Sequence, residues 1–373
     1  MKSNYRKLGD FIEQTEERNK DLAISLSQGI CNLKYFQNPR QVAENSSADK
    51  IVRSGWFAYN RATTRNGDKI SIAYRDKEDC TVSASYLTFK IKDENLLNPY
   101  YLMLWFKRPE FDRYARFKSH GSAHEYFEWE EMCDVLLPVP SIDEQRKIVA
   151  EYQTVERRIE NNRQMIAKLD ETAQTIYRNM FVDNIDPENL PQGWRIGILN
   201  DICNINMGQS PEGETYNDRG EGIIFYQGRT DFGVRYPSIR MFTTDPKKYA
   251  KKGDTLLSVR APVGDINMAN NDCSIGRGIA SIREINGNTS FTYYLIWSLY
   301  DEIAKSNDDG TVFGSINKEN LENLKIFIPP ISNIELFENM ISKIDKYIFD
   351  LCQENDLFLQ TLSFLLSKLS KLN

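Results

Sequence analysis

The 373-residue sequence has two histidines, six cysteines and no surplus of positive charge. Each shortage removes a class of chemistry. Cys31, Cys80, Cys133, Cys203, Cys273 and Cys352 are scattered without CxxC spacing, which excludes a readable zinc site and suits reduced thiols in a cytoplasm. His120 and His124 stand four apart, but Gly121 and Ser122 between them read as a loop rather than a metal-binding helix face. No GKS or GKT phosphate loop occurs, and Gly276-Arg277-Gly278 lacks the third glycine of a dinucleotide fingerprint. With no nucleophile elbow and so little histidine, hydrolytic catalysis has no carrier. No apolar run of about eighteen residues and no signal-peptide core appear. The expectation is a cytoplasmic, soluble protein with no catalytic residues, no metal, no cofactor of its own and no membrane contact.

Charge constrains partners. The formal net charge is −6, with 21 basic and 20 acidic side chains in residues 1–140 and 15 and 20 in residues 183–333. Bulk attraction to phosphate is therefore absent, and any nucleic-acid surface must be locally sorted. A larger and more basic partner sharing the DNA would reconcile the two.

What the chain does have is periodicity. Ile148, Tyr152, Val155, Ile159, Asn162, Ile166, Leu169, Ala173, Ile176 and Met180 step by four and three without a slip. Phe337, Ile341, Ile344, Ile348, Leu351, Asn355, Phe358, Leu362, Leu365 and Leu369 repeat the pattern. Apolar residues at 3.5-residue spacing mark a helix seam that needs a partner helix, and each copy is the obvious partner of the other.

The duplication reaches beyond the helices. Pro140 and Pro329 lie 189 residues apart, as do Ile148 and Phe337 and as do Gly121 and Gly310. Tyr100-Tyr101-Leu102 answers Tyr293-Tyr294-Leu295, and Gly55-Trp56-Phe57 answers Gly253-Asp254-Thr255. Shared order of this kind indicates an internal repeat. The expected organisation is α+β: domain one at 1–140, a first spacer helix at 141–182, a linker at 183–192, domain two at 193–331 and a second spacer helix at 332–373. So short a linker makes the second helix run back along the first. The pair is then an antiparallel coiled coil with pseudo-two-fold symmetry, each helix of about 38 residues spanning about 57 Å at 1.5 Å per residue. In that register Asn162 meets Asn355, and a polar pair within an apolar seam fixes alignment at some cost in stability.

Candidate DNA contacts follow from side-chain chemistry, since Arg, Gln, Asn, Ser and Thr read base edges and grip phosphates. In the first domain these are Arg61, Arg65 and Lys69, between the strand-like runs at 55–59 and 70–74, and then Ser119, His120 and Ser122. In the second they are Gln209, Ser210, Arg229, Arg260, Arg277 and Thr311. Asn98-Pro99-Tyr100-Tyr101 superficially resembles the N/D-P-P-Y motif of amino-methyltransferases. Its third residue is wrong for that motif, and proline there suits the first turn of a helix.

Taken together these features resemble the DNA-specificity subunit of type I restriction-modification systems, over essentially the whole chain. The residues that carry the likeness are Pro140-Ser141-Ile142-Asp143-Glu144-Gln145 with Ile148, the Gly193-Trp194 that opens domain two, and Gly310-Thr311 with Ile316-Asn317-Lys318-Glu319-Asn320-Leu321 ahead of the second proline pair. One departure is Asn333-Ile334-Glu335 where the first copy has Glu144-Gln145-Arg146. The resemblance implies two target recognition domains, each reading half of a split double-stranded DNA sequence, with the helices setting the gap. It implies as partners two methyltransferase subunits and, where present, two restriction subunits. S-adenosylmethionine, ATP and Mg would act in those partners, and this chain would be non-catalytic. The alternative is a coiled-coil scaffold whose two domains bind proteins rather than DNA, which the acidic charge favours and the domain duplication disfavours.

Overall fold

In a computed structural model that describes residues 5–39, 47–62, 69–120, 125–305 and 314–371, the chain forms two units. One comprises residues 1–159 with 357–373, the other residues 160–356.

The first unit is organised by an antiparallel sheet in the order Ile12–Thr15, Tyr86–Ile91, Trp56–Asn60, Ile72–Tyr74. Successive side chains on a strand point to opposite faces. Phe57, Tyr59, Ile72, Phe89 and Ile91 therefore join Tyr101, Leu102 and Phe106 of the helix Pro99–Lys107 in the main core. From the opposite face Ala58 and Ala73 meet Val52, Cys80 and Val82 of the strand pair Lys50–Val52 and Cys80–Val82. The helix starts where its chemistry dictates: Asn98 caps it by accepting the Tyr101 N–H at 3.1 Å, and Pro99 occupies the first turn.

The second unit repeats this plan. Its sheet runs Cys203–Met207, Ile279–Glu284, Thr255–Ser258, Ile266–Met268. Leu257, Ala280 and Ile282 face the helix Thr289–Ser298, while Leu256 and Ile279 face a smaller cluster with Cys273 and Ala250. Gly55 and Gly253 hold equivalent places. Both have left-handed φ, +93° and +87°, and their N–H groups donate to Arg75 (2.7 Å) and Ala269 (2.8 Å). A residue with a Cβ is strained there. Cys80 and Cys273, also equivalent, lie buried, and burial pushes their thiols up to about 11 and about 12.

Each domain leaves its sheet through a short strand pair, Tyr5–Lys7 with Leu136–Pro138 and Arg195–Ile198 with Lys325–Ile328. The long helices Ile142–Phe181 and Ile331–Lys368 follow at once. In the first unit Tyr152 and Ile159 are buried with Leu362 and Leu369. In the second, Ile166 is buried with Ile348 and Leu351, and Ala173, Tyr177 and Phe181 with Phe337 and Ile341. Later residues of one helix meet earlier residues of the other, so in each unit the two run in opposite directions. Tyr177 and Phe181 lie off the four-three stripe. They are buried because this end of the helix is enclosed by the domain as well as by its partner helix, with their rings 5.3–5.9 Å from those of Phe291 and Phe337. Asn162 is buried, and its Nδ2 donates to Asn355 Oδ1 at 3.1 Å and to Glu354 Oε2 at 2.6 Å.

Candidate nucleic-acid interface

Four separate pieces of the second domain are stitched into one edge by their backbones. The Gly208 N–H donates to Ile279 O (2.9 Å) and the Gln209 N–H to Ile275 O (3.0 Å). The Gly276 N–H donates to Tyr226 O (2.8 Å), and the Val259 N–H to Gly278 O (3.0 Å). Glycine is required by space. A Cβ on Gly208 would fall against the Gly276 carbonyl oxygen, 2.7 Å from that of Ile279 and 2.8 Å from that of Ile275, and one on Gly276 would lie 2.8 Å from Gln227 O. Close strand approach therefore brings Gln209, Ser210, Arg229, Arg260 and Arg277 to one rim, where all but the half-buried Ser210 are exposed. The Ser210 Oγ accepts the Arg277 N–H at 3.3 Å. Arg229 is held by an ion pair to Asp265. Arg260 and Arg277 form no ion pair with any described residue. Thr311 lies outside the described residues.

The first domain gathers a smaller set. The Phe127 N–H donates to Arg61 O (2.8 Å), and His120 and Tyr126 exchange backbone hydrogen bonds at 2.9 and 3.1 Å. The segment at Tyr126 thus stands between Arg61 and His120, with the Arg61 guanidinium 4.9 Å from the Tyr126 ring centroid and 3.3 Å from Glu128. The His120 side chain is largely exposed, its Nε2 3.8 Å from Glu131. Ser119 is buried, and its hydroxyl donates to the Ala115 carbonyl at 2.6 Å, which leaves it closing a helix rather than facing outward. Lys69 is exposed. Arg65 and Ser122 fall outside the described residues. Sequence reasoning did not single out Tyr126 and Glu128, which hold Arg61; only the fold brings residues 61 and 126 together.

Among the described residues no group of three or more His, Cys, Asp or Glu side chains is placed to hold a metal ion. No helix among them is long and apolar enough to cross a membrane.

The model of the type I restriction modification DNA specificity domain matches twice, over residues 4–171 and 191–355. The chain belongs to this family. A protein of Methanocaldococcus jannaschii named for the MjaX type I restriction enzyme, as its specificity subunit, is 27% identical over 374 residues, covering 92% of this chain and 87% of its own. The MjaIX specificity subunit of the same organism is 23% identical over 280 residues, with coverage of 67% and 63%. The crystal structure of a type I restriction-modification S subunit from M. genitalium shares the fold at a TM-score of 0.59 and 15% identity, covering 98% of this chain and 95% of that one.

Within this specificity family member the two helix starts differ for a physical reason. Gln145 is fully buried. Its Oε1 accepts the Asn98 N–H at 2.8 Å and its Nε2 donates to Leu96 O and Pro140 O, both at 2.9 Å. The glutamine of the motif therefore joins the long helix to the short helix of its own domain. In the second copy Ile334 fills the equivalent place as an apolar core residue. The task passes one turn onward to Glu338, whose carboxylate accepts the Ser290 and Phe291 N–H groups at 3.2 and 3.0 Å. A carboxylate suits that position, at the positive end of a helix.

Proposed function

We propose that this chain is the subunit that gives a type I restriction-modification complex its DNA sequence specificity. Each domain reads one half of a bipartite double-stranded target. The two long helices form an antiparallel coiled coil of pseudo-two-fold symmetry, aligned by Asn162 and Asn355, that sets the gap between the halves. Gln209, Ser210, Arg229, Arg260, Arg277 and Thr311 bear on one half-site, and Arg61, Arg65, Lys69, His120 and Ser122 on the other, with Ser119 shaping the backbone beside them. Two methyltransferase subunits dock on it, and two restriction subunits join where present. S-adenosylmethionine, ATP and Mg act in those partners.

The observation that carries this reading is the glycine-bound rim of the second domain. Two exposed arginines that form no ion pair with any described residue stand on the same rim as Gln209 and Ser210, a locally basic and polar edge on an otherwise acidic chain. Local sorting of this kind is what a DNA reader of net negative charge needs.

Alanine replacement of Arg260 or Arg277 tests it. Each is expected to cost about 1–3 kcal/mol at the correct base pair and to relax the second half-site only. Binding to duplexes randomised one half at a time reads this out. A loss equal for all sequences reassigns the arginine to phosphate contact. Absence of DNA retention, alone and with methyltransferase partners, favours a protein-binding scaffold instead.

The helices supply a second expected result. One heptad added to each, in register, lengthens the pair by about 10.5 Å, or about three base-pair rises of 3.4 Å. Mapping of methylated adenines in a host carrying the altered subunit should return the same two half-sites with a wider gap. An unchanged gap rules out the helices as the ruler.

A further inference from the structure

One loop of the second domain connects the candidate DNA rim to both long helices. It begins at Gln227 and Gly228, whose N–H groups are both accepted by Asp231 Oδ2, at 2.8 and 3.3 Å. The other oxygen of Asp231 accepts the Arg240 Nε–H at 3.0 Å, which closes the loop at its far end. Between these anchors Arg235 turns inward. Its side chain is 2% exposed, and its guanidinium donates to Asp170 on the first long helix at 2.9 Å and to Asp345 on the second at 2.5 Å. The guanidinium carbon lies 3.3 Å from the Tyr293 ring centroid, and the Tyr294 hydroxyl donates to Asp170 Oδ1 at 3.0 Å.

The loop reverses the usual burial order. Val234 is 69% exposed while its charged neighbour is enclosed. Enclosing an arginine between two aspartates is a poor route to stability, because desolvation offsets the attraction and an apolar residue of similar size often serves better. Here the match is also incomplete, since Arg235 Nε and Asp345 Oδ2 are buried without a hydrogen-bond partner among the described residues. Burial raises the Asp345 carboxyl, and Arg235 draws it back down. What such an arrangement does supply is direction: a planar fork satisfied by two carboxylates on two different helices admits one orientation.

The first domain uses the same device differently. In Leu33-Lys34-Tyr35 the outer residues are exposed and Lys34 is buried, paired to Asp112 at 2.7 Å and to the Phe106 carbonyl. Both partners belong to the short helices Pro99–Lys107 and Pro109–Phe117 of that domain. The buried lysine locks the loop to its own domain, whereas Arg235 locks its loop to the long helices.

We propose that Arg235 is a positioning residue that fixes the seat of the second recognition edge on the two long helices and thereby restricts the gap accepted between half-sites. This rests on the reading of the chain as a bipartite DNA reader. The test uses the full chain with duplexes that keep both half-sites and vary the gap one base pair at a time. Arg235→Met, close in volume but uncharged, is expected to lower discrimination between the preferred gap and its neighbours by at least about ten-fold, equivalent to about 1.4 kcal/mol, with both half-site sequences unchanged. Asp170→Asn keeps the Arg235 pair with Asp345 and loosens one helix only. It should move discrimination the same way by less, and it carries the test if the methionine variant fails to fold. Folded variants that discriminate gaps within about two-fold of the parent overturn the proposal, because a purely structural residue alters stability and not spacing. A parent chain with no bipartite preference overturns the underlying reading, and this proposal with it.

Discussion

Phe337→Ala is expected to lower the stability of the second unit by about 3–5 kcal/mol, the usual cost of deleting a buried aromatic ring. Phe337 is wholly buried near the start of the second long helix. Its ring centroid lies 5.5 Å from those of Tyr177 and Phe181, 6.0 Å from Tyr294 and 6.4 Å from Phe291. Those neighbours come from the other long helix and from the helix Thr289–Ser298, so one deletion opens a cavity where three helices meet. Aromatic neighbours cannot collapse into such a void without leaving their preferred edge-to-face geometry. Urea unfolding followed by near-ultraviolet circular dichroism measures the loss, and Phe337→Leu should cost markedly less. A loss below about 1 kcal/mol for the alanine variant would mean that the ring cluster is not the keystone of this junction.

The second large effect belongs to Gly208. Gly208→Ala places a methyl group against three carbonyl oxygens at once, those of Gly276, Ile279 and Ile275, all backbone atoms that cannot swing aside. The strand end must separate from the turn at 276–278, which carries Gln209 and Ser210 away from Arg277. If that rim reads DNA, about 2 kcal/mol or more of binding is lost at the second half-site, roughly 30-fold in affinity. Discrimination at the first half-site should persist. Titrations against duplexes altered in one half at a time separate the two, and retained affinity for both halves would place base reading elsewhere in the domain. Gly276→Ala, whose Cβ would meet Gln227 backbone atoms, should act in the same direction.

The duplicated plan was legible in the sequence because it is written in local terms. Gly55 and Gly253 are glycines since the chain needs left-handed φ at both strand starts. Pro99 reads as the first turn of a helix from its ring geometry alone. The rim in the second domain was legible only as unconnected loops. Gln209, Arg229, Arg260 and Arg277 are dispersed over about seventy positions, and what unites them is close backbone approach at glycines, a property of sheet closure that no local pattern encodes.

The heptad steps, by themselves, determined that two helices of this chain carry apolar stripes needing partners, because a 3.5-residue spacing is a geometric statement made one residue at a time. The same residues could not say that Tyr177 and Phe181 would be enclosed off the stripe, that Gln145 would turn inward to a short helix while Glu338 did so one turn later in the second copy, or that Arg235 would find Asp170 and Asp345. Those are meetings between positions up to 160 apart, and they exist only once the surrounding surfaces have closed. Partnering of buried polar groups is decided by tertiary structure, since desolvation allows them inside only where the fold supplies the matching charge.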